Sequence, residues 1–156
     1  PPESPYAFAA HVAVVEVSQE NGTVKILKYI GVHDSGRIIN PMLAEGQAQG
    51  AIAQGIGQAL WEGMEYSPEG QPLTGSLMDY ALPKTTNMPD MDLDTIETLS
   101  ELTPWGLKGI GELPTLAAPV AVANAVMDAL SGLGIRHIDT PLTPEKIWQA
   151  MQAARK

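Results

Sequence analysis

The sequence predicts an α+β fold, in which a β-hairpin or small mixed sheet is packed by a long glycine-rich helix and by C-terminal helices, with long ordered loops. Three observations support this prediction. A valine-rich stretch near the amino end alternates apolar and polar residues, a later stretch repeats apolar residues every four positions, and 13 prolines and 15 glycines are spread along the chain. We expect residues 1–156 to form a single domain, since a chain of this length with 44% hydrophobic residues can fill one core.

The first predicted element is a β-hairpin. Residues 9–18 and residues 24–32 alternate as strands do, and "SQENGT" lies between them. The Asn21-Gly22 pair is typical of a tight turn in which both central residues take positive φ angles.

The second element is a long helix, expected from about Met42 to Tyr66 after the polar loop "HDSGRIINP". Its apolar residues recur every four positions at Ala48, Ile52, Ile56, Leu60 and Met64. Four glycines interrupt it, and since each costs roughly 1 kcal/mol relative to alanine, about 4 kcal/mol must be offset elsewhere. These glycines are Gly46, Gly50, Gly55 and Gly57.

One face of this helix carries the amides of Gln47, Gln54 and Gln58. Two interpretations fit this face. In the first, the glycines allow tight packing of the helix on the sheet and the glutamines are merely exposed. In the second, the face is built against a polar ligand, because amides both donate and accept hydrogen bonds.

Three further elements are predicted in the second half of the chain. Residues 92–99 alternate as a strand, and residues 114–130 read as an apolar helix in which Pro119 implies a kink or a late start. The closing stretch "TPEKIWQAMQAARK" predicts a short amphipathic helix, with Thr143 as N-cap and Pro144 at the first helical position.

The charge balance argues against several classes of partner. The chain has 9 basic and 18 acidic residues and no basic cluster, so we expect no nucleic-acid binding. It has no cysteine, so neither a disulfide nor a thiolate metal site can form within it. No uninterrupted apolar run approaches the ~18 residues that span a bilayer. We therefore expect no membrane span and a cytoplasmic location.

Several motif matches fail on inspection. "QGIGQAL" resembles a dinucleotide fingerprint but has Leu60 in place of the third glycine. "DMDLDTIETLSE" has the acidic spacing of a calcium loop but has Thr95 where the sharp turn needs glycine. His11, His33 and His137 stand alone, without ligand spacing. We therefore expect no metal ligand among the residues of this chain.

Four segments in order carry a more specific signal: "DSGRIINPMLAEGQAQGAIAQGIGQALWE", "LMDYALP", "KGIGE" and "RHIDTPLTPEKIW". Together they closely resemble the carboxy-terminal part of the molybdenum-binding large subunit of the xanthine oxidase family of molybdenum hydroxylases. The last segment is similar to the carbon monoxide dehydrogenase and aldehyde dehydrogenase type. The resemblance covers nearly the whole chain, and the family's subunit is several times longer.

This resemblance implies a set of cofactors and partners. The cofactor would be molybdenum-molybdopterin, in the cytosine dinucleotide form common in bacterial members. Iron-sulfur and FAD centres would lie on partner domains or subunits. The partners would be the remainder of the large subunit together with the iron-sulfur and flavin subunits.

The resemblance also implies roles for individual residues. Glu112, in the Lys-Gly-x-Gly-Glu segment, would be the base at the molybdenum centre; the alternative is an acidic residue that the helix dipole favours by roughly 0.3–1 kcal/mol. The residues implied in cofactor contact are Asp34, Arg37, Ile38, Asn40, Gln47, Gln54, Gly55 and Gly109. Lys108 would be a solvated or phosphate-directed charge.

Two classes of function follow. The chain is part of a molybdenum-dependent oxidoreductase, or it is a non-catalytic domain that keeps the fold without cofactor. In either case we expect the isolated chain to be inactive and to retain no molybdenum, because 156 residues cannot enclose the cofactor. Self-association of the isolated chain would cover surfaces that the cofactor and neighbouring domains otherwise cover.

Overall fold

The computed structural model describes residues 5–155, so the first four residues and Lys156 of the predicted domain lie outside the described part. Two single-turn 3-10 helices accompany the main elements, at Thr85–Asn87 and Pro104–Gly106. The main elements are β1 (Phe8–Val17), β2 (Val24–Asp34), α1 (Pro41–Leu60), β3 (Met91–Ile96), α2 (Leu113–Ser131) and α3 (Pro144–Ala154). The predicted α+β fold is confirmed.

The three strands form one mixed sheet with β2 in the middle. β1 pairs with β2 antiparallel, and β3 pairs with β2 parallel, with Tyr29 opposite Met91. The parallel pairing requires a crossover between β2 and β3, and α1 lies within that crossover. As a result, the carboxyl end of β2 leads directly into the loop and the helix that follow it.

The hairpin turn differs from the prediction. Gly22 has φ +75°, but Asn21 does not take a positive φ. Instead of a two-residue turn, Ser18 and Thr23 close a longer loop, and the Asn21 side chain accepts hydrogen bonds from the backbone and hydroxyl of Thr23. A Cβ on Gly22 would also collide with the Pro144 carbonyl, so this glycine lets the turn pack against the start of α3.

Helix α1 begins where its sequence predicts and ends earlier. Asn40 caps it by accepting a hydrogen bond from the backbone of Leu43 (3.2 Å). The predicted extension to Tyr66 is wrong, because the backbone leaves the helix at Trp61 (φ −133°). Met64 therefore lies beyond the helix, where it is half-exposed, and the buried face of α1 ends at Leu60.

The core lies where α2 packs against β1 on one side and α1 on the other. The residues fully buried on α2 are Pro114, Ala118, Val122, Val126 and Leu130. Helix α2 starts at Leu113 with Pro119 inside it, so the predicted late start does not occur. By length and composition α2 could cross a bilayer. Its buried face, however, is committed to packing inside the domain.

Gly55 explains how α1 and α2 approach so closely. A Cβ at this position would lie 2.6 Å from the Ala118 Cβ and 2.9 Å from the Pro119 Cδ. Gly46 and Gly50, in contrast, have nothing within 4 Å of such an atom. Gly55 thus serves the packing of α1 on α2, whereas the interpretation from sequence placed the helix on the sheet.

Helix α3 confirms the predicted start and cap, but it ends at Ala154, before the last two residues of the predicted stretch, of which Lys156 lies outside the described residues. Thr143 accepts a hydrogen bond from the backbone of Lys146, and Pro144 occupies the first turn. Ile147 and Met151 are fully buried and join the core.

Candidate functional site

A cavity of about 290 Å³ opens at the carboxyl end of β2. Its walls come from three segments: the loop after β2, the first turns of α1, and the strand-like segment before α2. The lining residues are Ser35, Arg37, Ile38, Ile39, Asn40, Leu43, Ala44, Gln47, Leu107, Lys108 and Ile110. Four of the residues expected to contact cofactor (Arg37, Ile38, Asn40 and Gln47) therefore share one cavity.

Two backbone hydrogen bonds hold the first and third walls together. Lys108 donates from its backbone to the Ser35 carbonyl (3.0 Å), and Arg37 donates to the Gly106 carbonyl (3.3 Å). Gly36 is required between them, because it has φ +63° and a Cβ there would collide with the Gly106 carbonyl oxygen. The "HDSG" and "WGLK" stretches are thus joined although they are far apart in sequence.

Asp34 lies beneath the cavity, only 3% exposed. Its carboxylate accepts hydrogen bonds from the backbones of Gly36 (3.0 Å) and Thr98 (3.2 Å), from the Thr98 hydroxyl, and from the Lys108 ammonium (3.1 Å). Burial alone would raise the pKa of this carboxyl, but these donors outweigh it and hold the pKa well below its usual range. Since a carboxylate has about four acceptor positions, direct contact with a ligand would cost Asp34 one of these bonds.

Lys108 is not the solvated charge that its sequence context suggested. Its side chain is 7% exposed, and its ammonium donates to Asp34 and to the Thr98 hydroxyl (2.6 Å). The ammonium also lies 5.2 Å from the centroid of the Phe8 ring. Its positive charge is therefore neutralised within the chain, and a phosphate-directed role would require it to leave Asp34.

Ser35 is the one buried side chain in residues 5–155 whose polar atom has no hydrogen-bond partner. Ser35 is one of the residues that line the cavity, its hydroxyl oxygen is buried, and the residue is 1% exposed. An unpaired buried hydroxyl costs on the order of 1–3 kcal/mol. A ligand with an acceptor or donor at this point would remove that cost, so the site fits a polar ligand.

Other donors in the cavity wall remain available to a ligand. The Arg37 Nε lies 3.8 Å from the Glu97 Oε1, which is long for an ion pair, and both side chains are about half exposed (48% and 52%). This ion pair is therefore weak. Asn40 uses its carbonyl oxygen to cap α1, which leaves its amide NH₂ free. Gln47 is exposed on the wall. A cation and two amides are the chemistry expected for phosphate and heterocycle edges.

Glu112 lies at the N-cap of α2, two residues after Ile110. Its side chain is exposed and makes no capping hydrogen bond. Its position at the amino end of α2 is also one where the helix dipole favours an acidic residue, so the alternative from the sequence remains open. A Cβ on neighbouring Gly111 would lie 3.8 Å from the Gln47 amide nitrogen, which places this segment beside the cavity. The base assignment itself stays a prediction.

The remaining predicted contacts lie further along α1 or beside the wall. Gln54 is exposed, and Gly55 is buried against α2, so the structure supplies a packing reason for Gly55. Gly109 is exposed between two lining residues and has open space around it. Contact of these residues with a cofactor stays a prediction.

The structure joins two histidines that sequence reasoning treated as isolated. The Nε2 atoms of His11 and His33 lie 2.8 Å apart, and His11 Nδ1 lies 2.8 Å from the Tyr29 hydroxyl. Burial, and then the neighbouring His33, lower the pKa of His11 to about 4, and burial also lowers the pKa of His33. Both rings are thus neutral at pH 7. His33 lines a second cavity of about 230 Å³ next to the first.

Comparisons with known proteins agree with the resemblance indicated by the four sequence segments. A family model described as "Molybdopterin cofactor-binding domain" matches residues 1–89. The nicotine 6-hydroxylase large subunit of Paenarthrobacter nicotinovorans is 41% identical over 145 residues, which cover 93% of this chain and 18% of that protein.

Two solved structures show the same fold. Quinoline 2-oxidoreductase from Pseudomonas putida 86 aligns with a TM-score of 0.91 and 42% identity over 94% of this chain and 19% of that one. Reconstituted CO dehydrogenase from Oligotropha carboxidovorans aligns with a TM-score of 0.95 and 30% identity over 99% and 19%. The chain therefore spans about a fifth of the length of these relatives.

Proposed function

Because the chain belongs to the molybdopterin cofactor-binding domain family, we propose that it is one part of a molybdenum-dependent oxidoreductase, a hydroxylase or dehydrogenase. In this proposal the chain supplies part of the cofactor site and the glutamate base. The observation that carries it is the cavity at the end of β2, where three segments meet around the unpartnered hydroxyl of Ser35.

The size of the cavity indicates how much of the cofactor this chain holds. Ligand sites usually measure about 300–1,000 Å³, and this cavity, at about 290 Å³, lies at the lower limit. A pterin with a dinucleotide tail is far larger than such a space. We therefore assign one portion of the cofactor to this chain and the rest to the remainder of a longer large subunit.

The hydrogen-bond donors in the cavity wall support the assignment of the dinucleotide portion of the cofactor to this chain. Arg37 presents a planar guanidinium that suits a pyrophosphate, and the amides of Asn40 and Gln47 suit the edge of a nucleobase. The Ser35 hydroxyl would complete its hydrogen bonding with the same ligand. We propose the cytosine dinucleotide form on this basis and on the sequence resemblance.

Glu112 takes the role of base in this proposal. When bound, the molybdenum cofactor supplies the two-electron oxidation of the substrate. Glu112 accepts a proton at a carboxylate oxygen, and the amino end of α2 stabilises the carboxylate before it does so. Because this side chain makes no bond to the described residues, accepting a proton does not break an existing contact.

The proposed partners follow from the fraction of the relatives that the chain spans. The remainder of the large subunit would complete the cofactor site, and iron-sulfur and flavin centres on other domains or subunits, which the sequence resemblance implies, would accept the electrons. A cytoplasmic location is part of the same proposal.

The test uses the complete complex that contains this chain, assayed with nicotine, quinoline and carbon monoxide, the compounds in the names of the relatives. We expect Glu112→Gln to abolish turnover and to leave the molybdenum content unchanged. Glu20→Gln, at an exposed position of the hairpin turn, is the matched control and should keep full activity.

Three outcomes would contradict the proposal in different ways. Unchanged turnover in Glu112→Gln would refute the base assignment. A wild-type complex without molybdenum would favour the non-catalytic domain. Stoichiometric molybdenum in the isolated 156-residue chain would refute the expectation that this chain holds only part of the cofactor.

A further inference from the structure

The segment that carries Glu112 has little packing of its own. Among residues 5–155, Gly109 has nothing within 4 Å of the position of a Cβ, and Gly111 has only the Gln47 amide nitrogen near such a position, at 3.8 Å. Two glycines in four residues also leave the backbone free to adopt many conformations. Because Ile110 is the one half-buried residue between Lys108 and Glu112, we expect Glu112 to be fixed mainly at the two ends of this segment.

The end after Glu112 is fixed by α2. Pro114 is buried, and the Thr115 hydroxyl donates to the Ala51 carbonyl of α1 (3.2 Å). This contact ties the first turn of α2 to the middle of α1.

The end before Glu112 is fixed by Lys108. Its ammonium is held by Asp34 and by the Thr98 hydroxyl, while its backbone N–H donates to Ser35. Asp34 in turn is held in place by the backbone donors of Gly36 and Thr98. Three separate segments, the end of β2, the stretch after β3 and the stretch before α2, therefore meet at one buried ion pair.

The ion pair is poorly explained as a source of stability alone. A buried pair of charges must offset a large desolvation penalty, and an apolar pair of similar volume often serves equally well. Here the ion pair fixes the relative position of the three segments, because Asp34 and Lys108 can form these hydrogen bonds only when the segments are correctly aligned. The exposed pair between Lys28 and Asp92 (2.8 Å), on β2 and β3, shows the contrast, since both of its side chains are more than half exposed.

We propose that Asp34, Lys108 and Thr98 are positioning residues for Glu112: the buried ion pair holds the "KGIGE" segment against the end of β2 and so sets where the carboxylate of Glu112 lies relative to the cavity. This proposal rests on the proposed function for its catalytic consequence. It also changes the role of Asp34 from ligand contact to support.

The variants are chosen to separate positioning from folding. Lys108→Met removes the charge and leaves an unbranched side chain that is one atom shorter. Asp34→Asn removes the partner charge, and Lys108→Arg keeps a cation that can pair with Asp34. Lys28→Met is the matched control, because it breaks an exposed ion pair on the same strand.

In the complete complex we expect Lys108→Met to lower kcat per molybdenum by about 10²-fold, the effect of a misplacement near 1 Å, with KM unchanged. Lys108→Arg should restore most of kcat. A variant that merely weakened the fold would instead lower the amount of active enzyme and leave kcat per molybdenum unchanged.

A second measurement does not depend on activity. Hydrogen exchange at the backbone amides of Arg37 and Lys108 reports the two bonds between the cavity walls. We expect their exchange to speed up by about tenfold or more in Lys108→Met and in Asp34→Asn, and to stay at the wild-type rate in Lys108→Arg and Lys28→Met.

The outcomes distinguish this proposal from the proposed function. If Glu112→Gln is inactive while Lys108→Met keeps both its kcat and its slow exchange, the positioning role is refuted and the proposed function stands. If the wild-type complex has neither molybdenum nor turnover, the proposed function fails. Independently of activity, unchanged exchange in Lys108→Met would refute the claim that the ion pair holds the segment before α2 against the end of β2. Faster exchange with unchanged kcat would also overturn the role in positioning Glu112.

Discussion

Replacing Gly55 by alanine tests the close contact between α1 and α2. The added Cβ would lie 2.6 Å from the Ala118 Cβ and 2.9 Å from the Pro119 Cδ, two atoms on short or ring-closed side chains that cannot rotate away. The helices would have to separate by on the order of 1 Å to restore ordinary van der Waals contact. We therefore expect Gly55→Ala to destabilise the domain.

The magnitude follows from two opposing contributions. Overpacking of a core contact costs about 1–3 kcal/mol, and the rigid neighbours of Gly55 place this case near the upper end. Alanine in place of glycine within a helix gains roughly 1 kcal/mol. The net loss is then about 2 kcal/mol, or a fall in Tm of about 4–8 °C for a domain of this size.

Gly50→Ala is the control, because Gly50 lies on the same helix and has nothing within 4 Å. It should gain up to about 1 kcal/mol, since only the helix preference changes. Urea and thermal unfolding of the chain measure both variants. If Gly55→Ala proves as stable as Gly50→Ala, the packing argument for Gly55 is refuted.

Two further predictions concern the histidine pair and the cap of α1. The pKa of His11 in the folded chain is about 4, and that of His33 is also lowered, so the unfolded chain takes up protons first as the pH falls. The contribution of this pair to the free energy of unfolding is therefore fully present above pH 6.5 and is lost toward pH 4. After allowance for the partial exposure of His11, the loss between pH 6.5 and 4.5 should be about 1–2 kcal/mol. Urea unfolding against pH should show a smaller loss in His11→Gln than in the wild type, and an identical slope in the two proteins would contradict the assignment. Asn40→Ala should lose about 1 kcal/mol of unfolding free energy, because the helix cap is removed. Asn40→Asp should keep the cap but should lower the molybdenum content of the complex if the Asn40 amide contacts the cofactor. Equal stability of the two variants in thermal unfolding would refute the capping role of Asn40.

Local signals in the sequence predict the start of a helix where a capping residue is followed by a proline. Thr143 and Pro144 define the start of α3, and Asn40 and Pro41 define the start of α1. The end of α1 was missed because periodicity does not report where a helix loses its packing partner, and Met64 continues the pattern beyond the core.

The histidine pair was missed because its formation depends on strand register. A two-residue turn at Asn21-Gly22 would place His11 opposite Val32. The longer loop, together with a bulge between Val14 and Val15, places His11 opposite Gly31 instead. A shift of one residue moves a side chain to the other face of the sheet. This shift brings His11 to the same face as His33.

The candidate site was predicted in part for a similar reason. The loop "HDSGRIINP" and the start of α1 are adjacent in sequence, so their residues could be grouped before the structure was known. The burial of Asp34 by Lys108 and Thr98 depends on long-range packing that no local pattern reports. The family resemblance implied a cofactor contact for Asp34, but only the fold shows that its hydrogen bonds are made within the chain.

The sequence separation across the ion pair constrains the order in which this domain assembles. The bonds from Asp34 to Thr98 and to Lys108 close loops of 64 and 74 residues, whereas the hairpin closes through one short turn. Contacts of such high separation form late in folding, because the entropy of loop closure must be overcome first. The stretch matched by the family model, residues 1–89, contains the end of β2 and α1 but not Lys108. During synthesis, the third wall of the cavity is therefore incomplete until residue 110 has emerged, and the complete cavity exists only afterwards.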